Sequence, residues 1–585
     1  MSHDTTRRQT LALLGAALGS TALTGSAAAD TAGSTATSPV LQRFAQEPLG
    51  AEVTGLRVTP GGAMFLNVQH PSEDNPAPYD THAVGAVYNF DGGSAAVESL
   101  PVQTGSDARR LSLAGAYEHQ VLAHGGDDLG DGRKFGVPVD ADGANMDDVM
   151  EPEADMNVFV PTADDETEGY LFTNFEAQPG MVGRMRISRA DTTSEWSVHE
   201  TENLDFRPLG GTWNNCNGWI SPWGTPLSSE EYPDEAAAWY DPDQDAYGED
   251  AMARYLGEFG NPYRYGYVVE VPEPTTAETP TPVKRYALGR LSHEVALPMP
   301  DERTVYLSDD WDGGVLCKFV ADERADLSSG TLYAATLDQD DTDDPARAGF
   351  DVEWIRLAHG EESEIESWIA EYDGQDASAD ADYLTADDVR DWANGEAEDD
   401  RVAFLEPRKA AAAKGATNEW QKLEGLATKP DPRPGDELYV ACSSIRGTMA
   451  DYDGDVQLEN NAQGAVYSAT ITGNYDVERL EPALVGYPHS NAHAGDGAAS
   501  PDNTLWGPDN LEVLADGRGL FGEDGDRTDD AHGETLNFLW LFAPGRTGVS
   551  RHRGRHRHGR GERGHWYGRG RHGRGDGEHG YGRDT

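Results

Sequence analysis

Apolar residues along this chain gather in short runs of about five, mostly β-branched or aromatic, each bounded by Gly, Asp, Asn or Pro. The clearest fall at 266–271, 304–308, 330–335, 437–441, 464–469 and 537–542. Such runs predict short strands separated by turns. Their irregular return, tens of residues apart, predicts an all-β fold built as a β-propeller whose blades carry insertions. A β-sandwich has the same local pattern, but a body of roughly 500 residues is large for one. Helical periodicity is confined to small insertions at 363–372 and 386–395, the second opened by Thr385 as its cap. The Asp/Ala-rich stretch between them, 373–382, reads as a solvated loop.

Charge changes the picture next. The 585 residues hold 104 Asp and Glu against 45 Lys and Arg, a formal net charge of −59. A field of that sign repels phosphate backbones and excludes a nucleic-acid binder working through a basic surface. With 13 Trp, 23 Tyr and 15 Phe the chain can still build cores that disordered chains lack. The acids are spread through the body and Lys is scarce. That diffuse bias favours a protein adapted to molar salt over an acidic calcium-binding surface.

The two ends differ from the body. Residues 1–29 carry Arg7-Arg8, a short apolar stretch rich in Gly, Ala and Thr, and Ala27-Ala28-Ala29. This is the pattern of a twin-arginine export signal, too short and too small-sided for a stable membrane anchor. It implies the twin-arginine translocase as a partner and an extracellular or cell-surface location. Residues 30–39 read as a Thr/Ser/Ala linker and 40–544 as the folded body. Residues 545–585 hold eleven Arg and six His and no Lys. They read as a metal-chelating His tract or as coding sequence that slipped frame in GC-rich DNA, and the abrupt change favours the slip. A slip there predicts that the last strand or strands are lost and that ring closure suffers.

The chain has three cysteines, too few and too scattered for a disulfide framework. Cys317 and Cys442 lie in apolar runs and are expected in the core. Cys216 lies instead in Asn214-Asn215-Cys216-Asn217-Gly218, followed by the turn Pro222-Trp223-Gly224-Thr225 and then Glu230-Glu231. That turn would bring the thiol back onto the carboxylate pair. Three further segments place acids at strand edges between apolar or glycyl neighbours: Ser292-His293-Glu294, Lys422-Leu423-Glu424 and Pro508-Asp509-Asn510. Asp309-Asp310 read as turn residues. Carboxylates converging from several blades would make an oxygen cage for calcium, and a thiolate beside it would favour a transition metal.

The Cys216 segment closely resembles the signature of the PhoX alkaline phosphatases. The other segments fit that family's pattern in order, as does the strand end Asn174-Phe175-Glu176. The resemblance implies a six-bladed β-propeller with an iron and calcium cluster at its mouth that hydrolyses phosphate monoesters. It implies Cys216 as an iron ligand, carboxylates from Glu294, Asp509 and one or both of Glu230 and Glu231, and Glu424 on calcium or bridging metals. Lys422 stands where the family has Arg and would steady a phosphate oxygen without the bidentate fork. Leu423 replaces the family's Pro, Phe175 its His, and Trp213 and Trp219 are expected to crowd the cysteine segment.

Three readings follow: an exported metal-dependent phosphomonoesterase, acting as a monomer on small phosphate esters; a non-catalytic propeller of the same type that binds calcium or phosphate; and a different propeller hydrolase such as a calcium phytase or lactonase. No G-x-S-x-G elbow is present, so serine hydrolase chemistry has no support.

Overall fold

In a computed structural model of the chain, residues 38–90, 97–148, 151–243, 248–529 and 531–545 are described. They belong to one compact unit spanning 38–546. The export signal, most of the linker and all but the first residue of the basic tail lie outside the described residues.

The architecture is all-β, with antiparallel sheets and few helices. Each of the six apolar runs predicted as a strand overlaps one: Val268–Glu270, Thr304–Asp309, Asp326–Gln339, Glu437–Cys442, Ala465–Thr470 and Phe538–Ala543. Three four-stranded sheets begin with Glu52–Val58, Glu153–Pro161 and Asn215–Ile220. A nine-stranded sheet follows. Its two halves, led by His293–Pro298 and Leu426–Thr428, meet in a short strand pairing of Phe350 and Asp351 with Leu480 and Arg479. The last sheet starts at Pro508–Val513 and ends by pairing Phe538–Ala543 antiparallel with the first strand, Val40–Gln46. The run before the basic tail is therefore a paired strand, flanked on both sides in its sheet, and not a broken edge.

The leading strands touch in order: Glu52–Val58 with Glu153–Pro161, then Asn215–Ile220, His293–Pro298, Leu426–Thr428, Pro508–Val513, and back to Glu52–Val58. Aromatic and aliphatic side chains fill the space between neighbouring sheets. Trp420, Phe350 and Tyr467 pack with centroids 5.6–6.0 Å apart, and Phe65, Phe159 and Trp196 make a second cluster. Cys442 is buried in the first of these clusters and Cys317 in a separate core with Phe319 and Leu332, as expected.

Both predicted helices are present, as Glu362–Ala370 and Ala386–Ala393. Thr385 and Asp388 close a capping box on the second. The helix Pro407–Lys414, in the same insertion, carries Arg408 back to Asp309. Among the described residues no helix is long and apolar enough to cross a membrane.

Candidate metal centre

The leading strands share one irregularity. Five of them carry an extra residue near the start, between Thr54 and Arg57, Ala154 and Asn157, Asn215 and Gly218, His293 and Ala296, and Pro508 and Leu511. A bulge of this kind breaks the strict alternation of side chains and re-aims one of them. Four of the five bulges hold Asp155, Cys216, Glu294 and Asp509. The sixth leading strand is preceded by Lys422 and Glu424, with Lys422 in the left-handed region at φ 59°.

The hairpin from Asn215–Ile220 to Pro226–Glu230 pairs Asn215 with Glu230, so the predicted turn does return the cysteine to the glutamate pair. Asn215 donates to Thr212 Oγ1 and Ser228 Oγ, each at 3.0 Å. Asn174 donates to the carbonyls of Cys216 and Asn217. These amides fix the loop that carries the thiol.

The ligand-type atoms form a chain of overlapping groups, each within 4.8 Å: Asp155, Glu176 and Cys216; Cys216, Glu231 and Glu294; Glu231, Glu294, Asp310 and Glu424. Cys216 Sγ lies 2.9 Å from Asp155 Oδ2 and 3.0 Å from Glu294 Oε2. Lys422 Nζ lies 3.0 Å from Glu424 Oε1 and 3.3 Å from Asp310 Oδ2. A further group, His70, Glu153 and Glu176, adjoins through the shared Glu176. Asp509 is not among the grouped residues, but its charge adds to burial in pushing up the pKa of Glu294.

The predicted glutamate pair separates. Glu231 joins the centre. Glu230 is fully buried on Lys284 Nζ at 2.7 Å and accepts from Thr212 Oγ1 and the N–H groups of Trp213 and Tyr267. It is not among the grouped residues. Asp309 and Asp310 are not turn residues: Asp309 is the last residue of the strand Thr304–Asp309, and both are buried. Asp309 takes two bonds from Arg408, and Asp310 is part of the centre. The tryptophans do not crowd the cysteine. Trp213 stacks on Tyr265 in an aromatic core, and Trp219 lies under Arg57, 3.9 Å away, near the far end of its strand. Phe175 packs on Phe135, and Leu423 is buried.

Asp155, Glu176 and Asp310 were not singled out as ligands from the sequence. Glu176 had a signal, since it closes the Asn174-Phe175-Glu176 strand end.

The electrostatics show what the group lacks. Burial, then neighbouring carboxylates, pushes the acids of Glu176, Glu231, Glu294 and Asp509 well above the usual carboxylate range. Burial takes Asp155 to about 6 and Glu424 to about 8. The charge of Glu52 is foremost in taking Asp524 to about 7. The Cys216 thiol is held well above its ordinary value by burial and the same acids. Asp310 goes the other way: burial raises it, but the Lys422 charge and hydrogen bonds outweigh that. Asp155 Oδ1, Glu294 Oε1 and Asp310 Oδ1 are buried without a hydrogen-bond partner. So many buried acids with orphaned oxygens and so little positive charge fit a site for several cations. Cations would neutralise the carboxylates and favour the thiolate.

The model of the family described as "Alkaline phosphatase PhoX" matches residues 181–557, well over half of the chain. The chain belongs to the PhoX alkaline phosphatase family. Among solved structures, PhoX of Pseudomonas fluorescens in complex with vanadate, a transition state analogue, is 19% identical, covers 86% of this chain and 89% of its own, and has a TM-score of 0.48. A putative oxidoreductase (glucose dehydrogenase) of Thermus thermophilus is 12% identical over 86% of this chain and 100% of its own, at 0.32. A putative 6-phosphogluconolactonase of Bacteroides uniformis is 10% identical over 66% and 87%, at 0.26. No curated protein sequence matches.

Proposed function

We propose that this PhoX protein is an exported, metal-dependent phosphomonoesterase, and that its sheets are the blades of a six-bladed propeller closed by the strand pair 40–46 and 538–543. Membership of the family supports the phosphatase reading. The observation that carries it is the buried run of acids and one thiol, some of them re-aimed by bulges, with a single lysine bonded at its edge. The cyclic contacts of the leading strands support the propeller.

Cys216, Asp155, Glu231 and Glu294 would hold a transition metal, which a thiolate favours over calcium; the resemblance to the family implies that it is iron. Glu294, Asp310, Glu424 and Asp509 offer oxygen alone, the donor set of calcium. Bound cations supply Lewis acidity to the phosphoryl oxygens and lower the pKa of water. The protein's own residues do the rest. The bulges fix Asp155, Cys216, Glu294 and Asp509, and strand ends carry the other carboxylates. Lys422 brings one positive charge to a phosphate oxygen, and its bonds to Glu424 and Asp310 orient it before substrate arrives. Burial keeps bulk water from screening these charges.

The Arg7-Arg8 signal supports export by the twin-arginine route to the cell surface or medium, and the −59 charge supports work at high salt. Metal analysis of protein folded in its native host at molar salt, with p-nitrophenyl phosphate turnover on the same sample, tests the reading. Iron and calcium with calcium-dependent turnover are expected. Calcium without iron and without turnover would make this a binding propeller. Cys216→Ala should lose iron and turnover together; an unchanged iron content would remove the thiolate from the ligand set.

A further inference from the structure

The centre has a rim that the chemistry above does not use. Tyr232 directly follows Glu231, and Trp311 directly follows Asp310, so two large aromatic rings are carried by the residues next to two of the grouped carboxylates. Their centroids are 6.1 Å apart at an interplanar angle of 46°. Tyr232 is held hard in place. Its hydroxyl donates to Asp310 Oδ2, its N–H donates to Ser292 Oγ at 2.9 Å, and its carbonyl accepts from Trp213 Nε1 at 3.0 Å. Its backbone sits at φ 45°, a conformation costly for an aromatic residue. Despite this anchoring, Tyr232 remains 37% exposed. A ring pinned in a strained backbone and left open to solvent is not there to fill a core.

Trp311 is equally fixed. Its carbonyl accepts from the Lys422 N–H at 3.2 Å. Its ring lies against the Arg408 guanidinium, 4.4 Å away, which is itself locked onto Asp309 by bonds of 2.7 and 2.6 Å. The Lys422 ammonium lies 5.7 Å from the centroid of the Tyr232 ring. A phosphoryl group meeting Lys422 therefore has its ester substituent beside these two rings. Two faces set at an open angle let a flat ring stack on one and meet the other edge-on.

We propose that Tyr232 and Trp311 form an aromatic platform for the leaving group, so that the centre favours aryl and heteroaryl phosphate monoesters over alkyl ones. The proposal rests on the phosphatase reading. A small polar alkyl group gains little from the rings, whereas an aryl group buries its faces against them.

The test compares kcat/KM for phenyl phosphate and glycerol phosphate in the holoenzyme at molar salt. Trp311→Leu and Tyr232→Leu should each lower the aryl-to-alkyl ratio about five- to tenfold, chiefly through KM for the aryl ester. Tyr232→Phe keeps the ring and should keep the ratio, changing both esters alike through the lost bond to Asp310. Equilibrium binding of phenylphosphonate and methylphosphonate gives a readout free of turnover. Trp311→Leu should weaken the first about fivefold relative to the second. Ratios within about twofold of wild type in both leucine variants would overturn the platform. Should Trp311→Leu not fold, Tyr232→Leu, at an exposed ring, decides alone. A wild-type holoenzyme that turns over neither ester would sink the phosphatase reading, and the phosphonate pair would still decide the platform.

Discussion

The fate of Glu230 makes a sharp prediction. It is one residue from the metal centre yet bonded to Lys284, and both side chains are wholly buried with Nζ 2.7 Å from Oε1. Burial pulls the lysine below its ordinary pKa, and the Glu230 charge opposes that pull. In Lys284→Met the carboxylate stays behind, uncompensated. Removing one partner of a buried pair costs about 3–5 kcal/mol. Here the carboxylate keeps three donors, Thr212 Oγ1 at 2.8 Å, Trp213 N at 3.1 Å and Tyr267 N at 3.0 Å. They hold the expected cost near the lower bound, about 3 kcal/mol. Unfolding entropy near 2 cal/mol/K per residue gives about 1 kcal/mol per kelvin for a unit of roughly 500 residues, so Tm should fall by about 3 °C. Scanning calorimetry at fixed salt and scan rate reads this. Glu230→Gln added to Lys284→Met removes the stranded charge and should recover about half the loss or more. Lys284→Met melting within about 1 °C of wild type, or a double variant no better than the single, would refute the reasoning.

Removing the metals should make stability depend on pH. The folded-state pKa values of Asp155, Asp524 and Glu424, about 6, 7 and 8, all exceed their unfolded values, chiefly through burial for Asp155 and Glu424 and through the Glu52 charge for Asp524. Between the unfolded and folded values the native state binds more protons, so stability falls as pH rises from about 4 to about 8. Stripped protein should melt lower near about pH 8.5 than near about pH 5.5, and added cations should restore it at the higher pH; the reverse order would refute the assignment. Glu424→Gln should cut turnover by about 100-fold or more with the fold intact by circular dichroism, since it removes a charge the buried centre needs only when metals are present. Full activity would refute that role. Lys422→Arg should raise kcat or leave it unchanged, because a guanidinium keeps the charge and adds a fork. A drop of about tenfold or more would show that Lys422 is placed for its bonds to Asp310 and Glu424 rather than for phosphate.

The strands and the cysteine hairpin were legible because their signals are local: apolar runs bounded by turn residues, and a turn of fixed length that returns Cys216 to Glu231. Thr385 announced its helix in the same way. The division of labour within Glu230-Glu231 was not legible, since it depends on Lys284, more than fifty residues away, entering from another strand of the same sheet. Nor was the role of Asp155. In a regular strand its neighbours alternate faces, and nothing in Glu153-Ala154-Asp155-Met156 marks the extra residue that turns its carboxylate toward Cys216. The same shift recurs at Glu294 and Asp509. Four bulges near the same ends of contacting strands amount to a single device, which uses backbone irregularity to re-aim three acids and a thiol that sheet periodicity would scatter. Gathering them buries like charges against one another, and the raised carboxyl pKa values are the cost. Asp310 is the exception: burial raises it too, but the Lys422 charge and hydrogen bonds with Glu231, Tyr232 and Lys422 outweigh that. Asp310, the grouped acid whose pKa is shifted down, is therefore also the one tied to the rim. Phosphate chemistry and leaving-group recognition meet at Asp310, so a change there should alter both.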